Sequence, residues 1–156
     1  MMEKYQKILE ILVNDQEYVQ YAYDRLVSVS ENPKNYEDEF FRLPDKDSDL
    51  VWFQFIDDLI MNQYAFEADW KEDYSAVKIQ IEKLLLKKGI LNNLNHDEDL
   101  FDLEPKDYLP RINQLLSENH HLLVNLDLNS DSYVSTLINK SEVQILLSFD
   151  ERIKLF

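Results

Sequence analysis

The sequence predicts an α+β fold, a mainly antiparallel sheet of about four strands packed with several helices. Three observations point to it. Tyr64, Phe66, Ala68 and Trp70 alternate with Ala65, Glu67 and Asp69, the period of a half-buried strand. Apolar residues at helical spacing fill most of residues 1–62. A second alternation spans His121–Leu128 and Tyr133–Ile138, broken by the turn-forming Asn129-Ser130-Asp131-Ser132. The 156 residues suit one acidic domain, helical over about 1–62 and mixed over 63–156.

Taken in order, Tyr5, Ile8, Leu9, Leu12 and Val13 mark one face of a helix over residues 2–13. A second helix is expected over Gln16–Val29, with Asp15 as its N-cap after a short break. From Ser30 to Ser48 the periodicity fails, and Pro33, Pro44 and Glu37-Asp38-Glu39 read as a surface loop. Residues 49–62 form an apolar helix, capped by Ser48 or Asp49, with Gln54, Asp57 and Asp58 as its polar face. After the strand at 64–70, a helix runs from Asp73 or Ser75 to Lys88 and stops at Gly89, the only glycine in the chain.

The segment 90–106, with Asn92-Asn93 and Asp97-Glu98-Asp99, is polar, and Leu100, Phe101 and Leu103 dock it. A helix follows over 107–118, with Pro110 placed in its first turn. The hairpin comes next, then a helix to Phe149 opened by a Ser141/Gln144 capping box and an edge strand at Arg152–Phe156. One layer of helices on the sheet is the expected arrangement.

Charge narrows the function classes. The 31 acidic residues against 16 basic give a formal net charge of −15. Such a surface repels nucleic-acid backbones and anionic lipid headgroups and attracts a basic protein. Cysteine is absent, which removes disulfides and thiolate metal sites. One glycine leaves no phosphate-cradling loop and no nucleophile elbow. No apolar run is long enough for a leader core or a membrane span, so a cytoplasmic location is expected.

Each candidate for chemistry in the chain has a plainer explanation beside it. Asp127-Leu-Asn129-Ser-Asp131 and Asp45-Lys-Asp47-Ser-Asp49 have calcium-loop spacing, but Ser132, Ile138, Leu50 and Ile56 stand where Gly and Glu are required. Turn and cap roles fit them better. Glu67, Asp69, Asp127 and Asp131 form a metal or acid–base cluster only if their strands are neighbours; a solvated face is the commoner outcome. His96, His120 and His121 lack metal-ligand spacing. Trp52, Tyr64, Phe66 and Trp70 are core by spacing. The remaining candidate is a partner-binding surface: Glu37, Asp38, Glu39, Phe40 and Phe41 in one acidic loop, with Asp97, Glu98, Asp99 and Tyr108 in another. Aromatic anchors inside a charged rim are what interfaces use.

Phe66-Glu67-Ala68-Asp69-Trp70-Lys71-Glu72-Asp73 resembles the Asp-Trp-Lys strand end of an uncharacterised bacterial family of unknown function. Leu126-Asp127-Leu128-Asn129-Ser130-Asp131-Ser132-Tyr133-Val134 is similar to its Asp-Ser-Tyr hairpin, and the likeness covers about 49–156. The family implies no activity. By type, the chain looks like small immunity proteins of toxin systems. The expected function is therefore a non-enzymatic module, without a cofactor, that occludes a more basic protein. The alternatives are a metal-dependent protein using the strand carboxylates, and a subunit that self-associates into a homo-oligomer.

Overall fold

A computed structural model describes residues 1–91 and 94–156, with the Asp47 side chain outside the described set. Asn92-Asn93 of the expected polar segment therefore lies outside it. Helices α1 (Glu3–Leu12), α2 (Gln16–Glu31) and α3 (Leu50–Met61) precede strand β1 (Ala65–Ala68). Helix α4 (Tyr74–Lys87) and α5 (Pro105–Ser117) lead to β2 (His121–Leu126) and β3 (Tyr133–Asn139), then α6 (Val143–Leu147) and β4 (Ile153–Leu155). The four strands are antiparallel in the order β1-β3-β2-β4. The α+β class and the position of the hairpin follow the sequence reading.

The helices do not form one layer. Ala65, Val124, Leu126, Val134 and Ile138 pack with α1, α2 and α3, whereas Phe66, Ala68, Leu123 and Leu137 pack with α4 and α5. The sheet is covered on both faces. In β3 five consecutive residues, Val134 to Ile138, are buried. A strand buried on both sides loses its strict alternation.

Local chemistry explains most boundaries. Asp15 caps α2 by accepting from the Glu17 and Tyr18 amides at 3.0 and 3.1 Å. Gly89, at φ +69°, ends α4 in the left-handed conformation. With no other glycine, the remaining described left-handed positions fall to Gln63, His96, His120 and Asn129. Pro110 sits inside α5 because the helix opens earlier, on Pro105. Pro105 suits the first helical position, where an N–H is not needed. The Ser141/Gln144 box is not formed; Asn139 caps a 3-10 turn, Lys140–Glu142, that leads into α6, accepting from the Ser141 amide at 2.9 Å.

Helix α3 anchors the first layer with Trp52, Phe55, Ile56 and Leu59, none more than 1% exposed. The Trp52 indole N–H also donates to the Asp127 carbonyl at 2.8 Å, tying the helix to the end of β2. Its polar residues Gln54 and Asp57 are buried too, so they are not a solvated face. A buried carboxylate needs a cation, and that need shapes the neighbouring loop.

Candidate partner-binding surface

The segment after α2 turns through a 3-10 helix, Pro33–Glu39, and then through bends at 41–42 and 45–46 and a second 3-10 turn, Asp47–Asp49, into α3. Three contacts fix it. The Tyr36 and Ser28 hydroxyls lie 2.5 Å apart. Arg25 of α2 donates to Glu39 at 3.0 Å. Arg42 donates through Nε to Asp57 at 2.7 Å, and through both terminal nitrogens to Glu67 at 3.2 and 2.9 Å. Charge-assisted, forked bonds of this kind restrict geometry strongly.

Electrostatics in this cluster are uneven. Burial pushes the Asp57 carboxyl up, and Arg42 only partly offsets it. Burial acts the same way on Glu67, but the Arg42 and Ser132 hydrogen bonds outweigh it and hold that carboxyl below its ordinary range. The Ser132 hydroxyl donates to Glu67 at 2.5 Å, so the β2–β3 turn joins the same cluster.

Phe41, between two of these contacts, and Leu43, just past the last, face outward. Phe41 is 83% exposed and Leu43 is 71% exposed, while Phe40 is half-buried. Glu37 and Asp38 are exposed and enter no ion pair among the described residues. Large apolar side chains held out by a restrained backbone have already lost part of the entropy that binding costs. Beside them opens a groove of about 600 Å³, lined by Tyr5, Val29, Pro33, Phe40, Leu43 and Val51 among others. Its volume lies in the range of ligand clefts.

The basic residues at the groove are largely committed. Lys4 and Arg152 each reach Asp150 at 2.7 Å. Arg152 also lies 3.5 Å from Asp49 and stacks 4.3 Å from the Trp52 ring centre. Burial raises the Asp150 carboxyl, but its bonds to Arg152 and Lys4 prevail and hold it far below the usual carboxylate range.

The second acidic loop is divided. Glu98 and Asp99 are exposed. Asp97 is buried, accepting from Tyr74 at 2.8 Å and Lys78 at 2.6 Å. Tyr108 is fully buried and donates to the Glu72 carbonyl at 2.8 Å. These two are core residues and leave the surface set. Phe101, half-exposed, meets Tyr74 edge-on and docks the loop.

The strand carboxylates do not gather, because β3 separates β1 from β2. Glu67 is held by Arg42, and Asp127 by Lys154 at 2.5 Å. Asp69 accepts from the Lys71 amide, and Asp131 is exposed in the turn. Asp45, Asp49, Asp127 and Asn129, from the two calcium-like runs, share a cavity of about 200 Å³, but Lys46 and Arg152 line it with them. Among the described residues no group of three His, Cys, Asp or Glu is placed to hold a metal ion.

Sequence reasoning missed Arg42 and Leu43. An arginine directly after Phe40-Phe41 was the available signal, but its two carboxylate partners lie 15 and 25 residues away. No helix is long and apolar enough to cross a membrane among the described residues.

A family model described as a domain of unknown function (DUF6630) matches residues 4–155. The match extends through the N-terminal helices, well beyond the stretch that carried the resemblance. No curated protein and no solved structure matched the chain. The chain belongs to the DUF6630 family.

Proposed function

We propose that this member of the DUF6630 family is a protein-binding module that occludes a more basic partner. A toxin or nuclease with a cationic active-site surface is the partner class its charge favours, which makes the role an immunity-type one. The observation that carries the reading is Phe41, 83% exposed on a loop fixed by Arg25–Glu39 and Arg42–Glu67. Glu37 and Asp38 stand exposed beside it. An apolar anchor supplies affinity, and the surrounding carboxylates supply partner choice and association rate.

The test compares immobilised full-length chains in lysate of the source cell. Wild type is expected to retain one basic protein at low salt and release it at high salt. Phe41→Ser, and separately Glu37→Gln with Asp38→Asn, are expected to lose that protein while melting like wild type. Equal capture by wild type and the Phe41→Ser chain, or capture that ignores salt, overturns the proposal.

A further inference from the structure

Strand β1 is an edge of the sheet, with β3 as its neighbour. Residues of an antiparallel strand alternate between bonding to a neighbour and pointing away from it. The phase is set on β2 and β3. The Lys140 amide donates to the His120 carbonyl at 2.8 Å, in the register that pairs Leu122 with Ile138 and Val124 with Thr136. Thr136 therefore bonds toward β2, and Ser135 and Tyr133 toward β1. The Asp127 amide, donating to the Arg152 carbonyl at 2.8 Å across β2 and β4, gives the same phase. Phe66 and Ala68 lie opposite Ser135 and Tyr133 and bond inward. The N–H and C=O groups of Ala65 and Glu67 consequently point away from the sheet. No backbone bond among the described residues takes them, and Arg42 and Ser132 bind the Glu67 carboxylate, not its backbone.

This edge is recessed. Residues 65–67 floor a slot of about 200 Å³, with Ile60 and Gln63 on the α3 bank and Gln80 and Lys83 on the α4 bank. Ala65 is 4% exposed, and a covered backbone group without a partner is costly. The recess decides the occupant. A second copy of this chain would bring a β1 held between its own α3 and α4, and two recessed edges do not meet. A helix has no outward backbone groups to offer. A single extended segment enters, and its own N–H and C=O groups pair with those of Ala65 and Glu67.

Side chains on an added strand alternate between the two faces of the sheet. Ala65 packs with the α1–α3 layer and Phe66 with the α4–α5 layer. Alternate residues of the segment thus turn toward half-buried Ile60 and toward exposed Lys83. Lys83 and Glu67 are the charged lining residues. Glu67 is held by Arg42, whereas Lys83 enters no ion pair among the described residues. An apolar residue suits the first bank and a carboxylate the second. The chain's net charge of −15 repels a segment that carries many more.

The geometry points to the outer edge of β1 as the seat of an extended segment of a partner protein, added as a new edge strand with an acidic side chain at Lys83. Glu37, Asp38 and Phe41 do not line the slot, so the inference stands apart from the basic-partner reading.

The probe is a capped, dye-labelled peptide of alternating valine and threonine with glutamate at a central threonine position, titrated into the full chain and followed by anisotropy. Two further versions carry N-methyl groups on alternate amides, one on each set. One set is expected to bind about tenfold more weakly than the parent and the other to match it, because only alternate amides face β1. Lys83→Glu is expected to weaken the parent peptide and to leave the version with threonine in place of glutamate unchanged. Gln80→Trp, at an exposed position, fills the slot and is expected to remove binding of both. Melting curves matching wild type establish that the variants fold, and the methylated pair decides the question on the wild-type chain if they do not. Equal effects of the two methylated sets overturn the inference, as does an absence of binding at about 1 mM peptide. Undiminished binding to the Gln80→Trp chain overturns it too, and an unchanged affinity in Lys83→Glu removes the acidic side chain. Dimerisation in light scattering that the peptide reverses gives the edge to a second copy and equally overturns it. Lysate capture through Phe41 is read separately, so failure of the peptide leaves the basic-partner reading standing.

Discussion

Arg42 and Glu67, 25 residues apart in sequence, meet in a forked ion pair at 3.2 and 2.9 Å. The same guanidinium satisfies the buried Asp57 at 2.7 Å. One side chain from a loop thus neutralises a helix carboxylate and fastens the edge strand. Arg42→Ala leaves Asp57 unpaired in an apolar layer, and removal of one partner from a buried pair is severe. Because Arg42 and Glu67 are partly exposed, the expected loss is about 2–3 kcal/mol, below the fully buried range. Urea denaturation measures it, and limited proteolysis is expected to cut within 33–43 faster than in wild type.

Acid should act most strongly through Asp150. Its folded pKa is depressed, chiefly by the Arg152 and Lys4 bonds working against burial. The unfolded value is about 3.9. The stabilisation is therefore complete above that value and is lost as pH falls below it toward the folded pKa. Asp150→Asn is expected to lower the melting temperature at neutral pH and to flatten its decline in acid. Asp57 and Asp58, whose carboxyls burial raises, act in the opposite sense. A mutant that declines in acid as steeply as wild type contradicts this assignment.

Lys88 gives the alkaline counterpart. Its ammonium donates to the Leu137 carbonyl in β3, and burial lowers its pKa to about 8 from 10.5. Between those two values the unfolded chain holds the extra proton, so the Lys88 contribution to stability rises with pH. Lys88→Met removes the group, and with it that gain. Denaturant titrations across this interval, comparing wild type and mutant, read the difference directly.

Gly89 and His120 make a paired test of backbone strain. A methyl at Gly89 meets nothing within 4 Å, so Gly89→Ala reports only the left-handed φ of +69°. The expected cost is about 1 kcal/mol. His120 adopts φ +64° with a Cβ. His120→Gly relieves that strain while loosening the unfolded chain. The expected net change is within about 0.5 kcal/mol of zero, so Gly89→Ala should lower the melting temperature measurably more than His120→Gly shifts it.

What the sequence determined by itself was the set of elements and their local punctuation. Periodicity placed the buried faces of α1, α2 and α4, Asp15 and Gly89 marked real ends, and the alternation around Asn129–Ser132 placed the hairpin. These depend on neighbours within a few residues. Only the tertiary structure decided that helices cover both sheet faces, that β3 stands between β1 and β2, and that Asp97 and Tyr108 are core residues. It also decided that Glu67 answers Arg42 and that Phe41 stays in solvent beside a groove. A carboxylate or an aromatic ring has the same chemistry exposed or enclosed. What it faces depends on residues distant in the chain, and the fold alone brings them together.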